Sequence, residues 1–172
     1  AFWVEGNTVY STGLPGVSKS TDGGLNWNTL PAGYLSYEGG LDIWKDGSVI
    51  LTGSNLGKHR STDEGAAWGA PMNGLPATGA SAFTQIDSTL FIATNSGSYR
   101  SVDHGGNWVA LGALPFTVGV SSWASIGSDL FAGTNDGVYH STDHGRTWTA
   151  INEGLAPKTL IYKMAYDDQY LY

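Results

Sequence analysis

Four aspartates stand at nearly equal spacing along the chain, each inside the same eight-residue pattern. The pattern is Ser-x-Asp-x-Gly-x-x-Trp, and its aspartates are Asp22, Asp63, Asp103 and Asp143, separated by 41, 40 and 40 residues. A carboxylate beside a serine hydroxyl could act in acid–base catalysis, ligate a metal ion or accept N–H groups of its own turn. The regular recurrence favours the third role, because a turn is needed in every repeat whereas a reactive site is needed once.

The other residues of the pattern suit a tight hairpin turn. The serine hydroxyl can add a second hydrogen bond across the turn, and glycine supplies a positive φ that a Cβ would penalise. The tryptophan is predicted to pack over the turn and to seal one repeat against the next. The sixteen residues of this structural box are Ser20, Asp22, Gly24, Trp27, Ser61, Asp63, Gly65, Trp68, Ser101, Asp103, Gly105, Trp108, Ser141, Asp143, Gly145 and Trp148.

The elements that position these boxes repeat with the same period. Before each box lie a short β-rich run, a turn containing glycine and a second run, as in Leu130–His140, and a further alternating run precedes them. Each unit therefore holds four short strands, called A to D, with the box at the C–D turn. This predicts an all-β fold, a β-propeller of four-stranded antiparallel blades of about 40 residues.

Four boxed units and a partial fifth are expected. Their predicted bounds are 1–33, 34–75, 76–115, 116–156 and 157–172, and residues 160–172 are predicted to be strands A and B of the fifth unit. Because both ends fall inside a blade, we expect a segment of a larger propeller, with closure by another copy of the chain as the alternative. An unpaired strand edge recruits another strand or aggregates.

The box resembles the Asp box, also called the bacterial neuraminidase repeat, and the resemblance covers essentially the whole chain. Similar propellers occur in sialidases, xyloglucan-cleaving endoglucanases, sortilin receptors and photosystem-assembly proteins. The resemblance implies that the box is a folding element on the face away from the usual ligand site. It also implies an extracellular or periplasmic location, since the families it resembles mostly act there.

Composition narrows the classes of function. The chain has 172 residues, no cysteine and a formal charge of −7, which argues against a nucleic-acid or anionic-membrane binder. The lack of cysteine excludes thiolate zinc sites and cysteine nucleophiles. No apolar run approaches the roughly 20 residues of a membrane span. His140 and His144 are separated across a turn, so no metal and no cofactor are expected.

Basic residues recur at one position of the repeat. Lys19, Arg60, Arg100 and His140 each directly precede a box serine, which indicates a structural role, such as pairing with an acidic neighbour. Only three arginines are present, so the arginine triad implied by the sialidase resemblance is not expected.

Two carboxylates outside the boxes are candidates for glycoside hydrolysis, which needs a flanking pair. Glu38 and Asp42 lie in or beside a long, aromatic connection between the first two units, and they are the weak catalytic candidates of a xyloglucanase-like fragment. Asp46, Asp87 and Asp129 are predicted to be ordinary residues of A–B turns.

Aromatic residues offer the remaining binding signal. Trp3, Trp44 and Trp123 fall in or at the end of A strands, where they either fill the core between blades or stack on a sugar ring. The predicted ligand face carries the D–A and B–C connections, with Tyr34, Tyr37, Glu38, Asn55, Asn95, Asn135 and Asp136. The ligand-binding candidates are Trp44, Trp123, Tyr37, Asn95 and Asn135.

These features predict a non-catalytic module for binding or scaffolding, with a protein or a neutral glycan as its ligand. A fragment of a secreted glycoside hydrolase is the first alternative. A structural component that assembles through exposed strand edges, with further blades of the same protein or another copy as partner, is the second.

Overall fold

The computed structural model describes residues 1–14, 16–31, 40–54, 56–112, 119–165 and 170–172. These residues form short strands joined by turns. Within these ranges there is no α-helix, and so no helix that could cross a membrane. The strands are β1 (Phe2–Glu5), β2 (Thr8–Gly13), β3 (Gly16–Ser20), β4 (Asn28–Thr29), β5 (Gly40–Asp46), β6 (Val49–Ser54), β7 (Lys58–Ser61), β8 (Ala80–Ile86), β9 (Thr89–Thr94), β10 (Gly97–Ser101), β11 (Val109–Ala110), β12 (Val120–Ile126), β13 (Asp129–Thr134), β14 (Gly137–Ser141) and β15 (Thr149–Ala150).

The strands form four antiparallel sheets, one for each boxed unit, which confirms the predicted propeller architecture. Blade 1 contains β1–β4, blade 2 β5–β7, blade 3 β8–β11 and blade 4 β12–β15, and strands pair in chain order within each blade. The register repeats as well. Ile43 pairs with Thr52, Phe83 with Ile92 and Trp123 with Ala132, so these three A-strand residues share one position of the repeat.

The A–B turns follow one design. The residue after each A strand has a positive φ between 50° and 58°, at Gly6, Gly47, Asp87 and Gly127. Such two-residue turns twist in the sense that antiparallel hairpins require. Asp46 ends β5, Asp129 begins β13 and Asp87 lies in the turn itself, as predicted.

Apolar side chains fill the space between consecutive blades. Tyr10 and Val17 of blade 1 pack with Ile43 and Ile50 of blade 2. Equivalent cores join blade 2 to blade 3 and blade 3 to blade 4. Burial of a large apolar side chain contributes roughly 1.5–3 kcal/mol, so these cores are the main source of cohesion between blades.

Three of the four box tryptophans belong to these cores. Trp68 packs at the interface of blades 1 and 2, Trp108 at that of blades 2 and 3, and Trp148 at that of blades 3 and 4. The predicted sealing role is therefore observed for these three. Trp27 of blade 1 is 41% exposed and contacts the ring of Phe2.

A bulge interrupts three A strands at the same position of the repeat, between Gly40 and Asp42, Ala80 and Ala82, and Val120 and Ser122. Asp42 Oδ2 accepts the backbone N–H of Phe83 in the next blade at 2.8 Å. Ser122 Oγ likewise accepts the N–H of Met164 at 3.0 Å. Polar contacts as well as apolar packing therefore join β5 to β8, and β12 to the segment that follows blade 4.

The partial fifth unit predicted for residues 157–172 packs against blade 4 through the residues that the structure describes, 157–165 and 170–172. Residues 157–165 form no strand, although a strand A was predicted from residue 160 onwards. The Ile161 N–H donates to the Thr134 carbonyl at 2.8 Å, and Met164 is buried against Ala124 of blade 4. The segment therefore lies against blade 4, where strand A of the fifth unit was predicted. Reciprocal backbone bonds join Ala165 to Tyr172, with the Ala165 N–H donating at 3.0 Å and the Tyr172 N–H at 2.7 Å.

Candidate functional site

The box of blade 3 shows how its residues hold the C–D turn. Ser101 Oγ donates to Asp103 Oδ1 at 2.7 Å and accepts the Gly105 N–H at 3.0 Å. Asp103 Oδ1 also accepts the Asn107 N–H at 2.9 Å. The Trp108 indole N–H donates to the Gly105 carbonyl at 2.8 Å. Every polar group of the pattern is therefore used inside the turn.

The other three boxes repeat this geometry. The serine hydroxyl donates to the aspartate at 2.7–2.8 Å in each of them. The same hydroxyl accepts the glycine N–H at 2.8–2.9 Å. The residue before each tryptophan donates its N–H to the aspartate at 2.8–2.9 Å. One turn structure thus serves all four blades.

These hydrogen bonds stabilise the ionised form of each box carboxylate. The side-chain amide of Asn26 is the main cause that lowers the pKa of Asp22 to about 2. The hydrogen bond from the backbone N–H of Asn107 is the main cause that lowers the pKa of Asp103 to about 2. Bonds from residues 67 and 147 lower the pKa of the carboxyls of Asp63 and Asp143 in the same way. A carboxylate held in this way is poorly suited to donate a proton near neutral pH.

The fourth box position has a property that sequence analysis missed. Its residue is left-handed in every box: Gly23 has φ 72°, Glu64 57°, His104 54° and His144 57°. The following glycine is left-handed too, as predicted, with φ between 78° and 94°. The glycine at position 23 could have indicated the left-handed conformation of the fourth position, because two successive positive φ values favour glycine at both positions.

The recurring basic position forms contacts within and between blades. Lys19 Nζ lies 2.8 Å from Glu64 Oε2 of the next blade. Arg60 Nε donates to the His104 carbonyl of the next blade at 3.1 Å. His140 Nε2 lies 2.9 Å from Asp129 Oδ2 of its own blade. The predicted structural role is therefore observed at three of the four positions, with an acidic partner at two of them.

A cavity of about 230 Å³ lies against the inner wall formed by the A strands. Its lining residues are Trp3, Ile43, Trp44, Phe83, Thr84, Gln85, Trp123 and Ser125. Gln85 Oε1 accepts the Trp44 indole N–H at 3.0 Å, and the hydroxyls of Thr84 and Ser125 are 3.2 Å apart. Among the described residues, the lining is thus aromatic and polar, without an ionisable group. We call it the channel cavity.

Two predicted ligand-binding residues meet at the channel cavity. Trp44 is 2% exposed and Trp123 is 5% exposed, so most of each indole is buried between blades. Trp3 contacts Trp44 edge-on, with ring centroids 6.5 Å apart, and Trp123 contacts Phe91. Both are therefore core residues that also border the cavity, and ligand binding by them stays a prediction.

Sequence analysis missed the polar part of this wall. Gln85 and Ser125 occupy the repeat position of Lys45, since these residues pair with Leu90, Leu130 and Ile50. Alignment of the A strands by the box period would have placed them on one face.

The remaining site candidates lie elsewhere. Asn95 and Asn135 are exposed on the B–C turns of blades 3 and 4, beside the equally exposed Asp136. Tyr34, Tyr37, Glu38 and Asn55 lie outside the described residues. The structure therefore separates the B–C turn residues from the tryptophans of the channel cavity.

Asp42 is the one catalytic candidate within the described residues. Its side chain is largely buried, and its Oδ1 lies 3.8 Å from Lys163 Nζ. Burial is the main cause that raises the pKa of the Asp42 carboxyl, while Lys163 opposes the shift. Among the residues that the structure places, no three His, Asp or Glu side chains are grouped as metal ligands.

The comparisons agree with this geometry. Residues 139–150 match the BNR/Asp-box repeat family. The matched segment contains the box residues Ser141, Asp143, Gly145 and Trp148, and the solved structures below share the predicted β-propeller fold. No curated protein matches the sequence.

Solved propellers share the fold at low sequence identity. An ancestral GH74 enzyme is 18% identical with a TM-score of 0.77, over 98% of this chain and 27% of that chain. The extracellular domain of a putative one-component system from B. thetaiotaomicron is 17% identical with a TM-score of 0.73, over 98% and 24%. YCF48 bound to D1 peptide is 16% identical with a TM-score of 0.61, over 86% and 50%. The chain therefore spans about a quarter of the length of the first two structures.

Proposed function

We propose that this chain is a non-catalytic binding module of an extracytoplasmic protein and that its channel cavity takes a neutral sugar ring. The observation that carries the proposal is the lining of the cavity, which combines Trp3 with Thr84, Gln85 and Ser125 in a chain of net charge −7. Amide and hydroxyl groups beside an indole suit the alternating polar and apolar surface of a sugar. A neutral lining disfavours charged ligands, whose desolvation would not be offset.

The extracytoplasmic location rests on similar proteins. One similar structure is an extracellular domain and another is an ancestral GH74 enzyme. These likenesses show the fold alone, so the ligand and the location of this chain are parts of the proposal.

Titration with neutral oligosaccharides of increasing length, such as cellobiose and cellotetraose, tests the proposal. Tryptophan fluorescence should change on saturation, and Gln85→Ala should weaken binding about tenfold, because the sugar loses a hydrogen-bond partner in the half-buried wall. Trp27→Ala is the matched control, since Trp27 lies outside the cavity. The absence of a fluorescence change at sugar concentrations up to about 10 mM would contradict the proposal, because even weak binding is detectable at that concentration.

A hydrolase fragment is the second candidate, and Asp42 favours it. A largely buried carboxyl with a raised pKa is what a general acid requires. Xyloglucan hydrolysis by the chain, lost in Asp42→Asn and retained in Asp136→Asn, would establish this alternative. Absence of turnover in the unmodified chain would leave Asp42 as a contact between blades.

A further inference from the structure

Blade 2 differs from the other described blades at its outer edge, where a fourth strand is missing. In blades 1, 3 and 4 a short strand pairs with the C strand after the box. The equivalent residues of blade 2 are Gly69, Ala70 and Pro71, and they form no strand. Strand β7 is therefore the outer strand of its sheet.

Pro71 explains the missing strand. The residues at its repeat position, Leu30, Leu111 and Ile151, donate their N–H groups to the carbonyls of residues 17, 98 and 138 at 2.9–3.0 Å. Proline has no N–H to donate, so the equivalent bond to the Lys58 carbonyl cannot form. The N–H groups of Gly69 and Ala70 instead both donate to the Arg60 carbonyl, each at 3.1 Å.

After Pro71 the chain turns away from β7 and forms backbone hydrogen bonds with blade 3. The Asn73 N–H donates to the Gly106 carbonyl, and the Trp108 N–H donates to the Asn73 carbonyl, each at 2.8 Å. A groove of about 330 Å³ remains between β7 and this connection. Lys58, His59 and Arg60 line one side, and Pro71, Met72 and Pro76 line the other. We call it the edge groove.

The edge groove carries positive charge on an acidic protein. Lys58, His59 and Arg60 are the only run of three basic residues in a chain of net charge −7. Lys58 Nζ donates to the carbonyls of Pro76 and Thr78, and Arg60 Nε donates to that of His104. Carbonyl partners leave a cation's charge in place, and both side chains have further N–H groups. The side chains of Pro71, Met72 and Pro76, which also line the groove, are apolar.

We propose that the edge groove binds an extended acidic peptide that pairs with β7 beyond Ala70, at the position where Leu30, Leu111 and Ile151 bond the C strand in the other blades. The peptide N–H bonds the Lys58 carbonyl, and acidic side chains at alternate positions face Lys58 and Arg60, since residues two apart in a strand share a face. The volume is at the lower end of the range of ligand pockets, about 300–1000 Å³, so it suits a short segment. The site is distinct from the channel cavity and goes beyond the glycan-binding function proposed for it.

A blocked peptide of alternating glutamate and valine is the probe. Titrated into the protein and followed by amide NMR shifts, it should perturb residues 58–60 and bind at least tenfold more tightly than the lysine–valine peptide of the same length. The affinity should fall with salt, because charges on a surface groove are screened. Equal binding of the two peptides, or no binding of the acidic peptide at 1 mM, overturns the proposal.

Two variants test the mechanism. Gly69→Val with Pro71→Leu copies Val109 and Leu111 of blade 3 and should restore the fourth strand, which would protect the amide at position 71 from exchange and weaken peptide binding at least tenfold. Arg60→Glu should weaken binding at least tenfold even if the first variant folds poorly. Arg100→Glu is the matched control, because Arg100 has the same repeat position in a blade whose edge β11 already covers. Equal losses in Arg60→Glu and Arg100→Glu would exclude the edge groove as the site.

Discussion

Phe2 and Phe83 occupy the same position of the repeat, yet Phe2 is 68% exposed and Phe83 is 8% exposed. Phe2 pairs with Ser11 in blade 1, as Phe83 pairs with Ile92 in blade 3. The difference arises because Phe83 packs in the core between blades 2 and 3. Phe2 contacts the exposed Trp27, and Val4, two residues further along β1, is exposed too. Packing of a further blade or of another copy of the chain would cover this apolar face of blade 1, and such assembly stays a prediction.

The two phenylalanines should respond very differently to truncation. Phe83→Ala should lower the free energy of unfolding by about 3–5 kcal/mol, because it leaves a cavity in a packed core. Phe2→Ala should change it by less than about 0.5 kcal/mol, as at other surface sites. Urea denaturation of dilute protein measures both. Similar losses would mean that the face of blade 1 is covered in solution, and sedimentation at several concentrations would then identify association.

Ser101→Ala tests the hydroxyl at the centre of a box. The change removes the bond to Asp103 and leaves the Gly105 N–H, which is buried, without its acceptor. The expected loss of unfolding free energy is about 1–3 kcal/mol. Ser96→Ala, at an exposed serine of a B–C turn, is the matched control and should be nearly neutral. Equal stability of the two variants would show that the hydroxyl contributes little.

Asp103→Asn tests the pH dependence of stability. Because the pKa of Asp103 falls to about 2 in the folded chain, its stabilising effect is complete above its unfolded pKa, near 4, and is lost as pH falls through 2. The variant should be less stable than the parent at pH 7, by about 1 kcal/mol after solvent screening. The two proteins should converge near pH 2. The exposed Asp136→Asn should follow the parent throughout, and a pH-independent gap for Asp103→Asn would contradict the assignment.

The left-handed fourth position of the box predicts an order of substitutions at His144. With φ at 57°, glycine should be tolerated at least as well as histidine, while His144→Val should cost about 1–2 kcal/mol, because a β-branched residue is strained there. Thr142→Val is the control, since blade 3 has Val102 at that position. Thermal unfolding of the three variants measures the order. Equal stability of the Thr142→Val and His144→Val variants would show that valine is not strained at position 144.

The box spacing was enough to predict the blades, because a turn held within eight residues is a local structure. The strand order and the turn roles of Asp46, Asp87 and Asp129 follow from the same period. The repeat period did not predict that blade 2 lacks its fourth strand. The cause is a single residue, Pro71, which removes one hydrogen-bond donor at a position where the other blades use it.

The candidate site was less accessible from sequence. Trp44 and Trp123 were found because aromatic residues are conspicuous, and Gln85 was missed because its significance depends on its neighbours across blades. The pKa of Asp42 depends on burial, which no local pattern reveals. Sites assembled between repeats are therefore harder to predict than the repeats themselves.

The inter-blade cores, which join consecutive blades, also govern how the chain would respond to force. A linear array of near-neighbour units fails one unit at a time, so pulling on the two ends should release the blades in successive steps. Each step would free a repeat of 40 or 41 residues, or about 140 Å of extended chain. In such an experiment, tension would expose one inter-blade interface before the next.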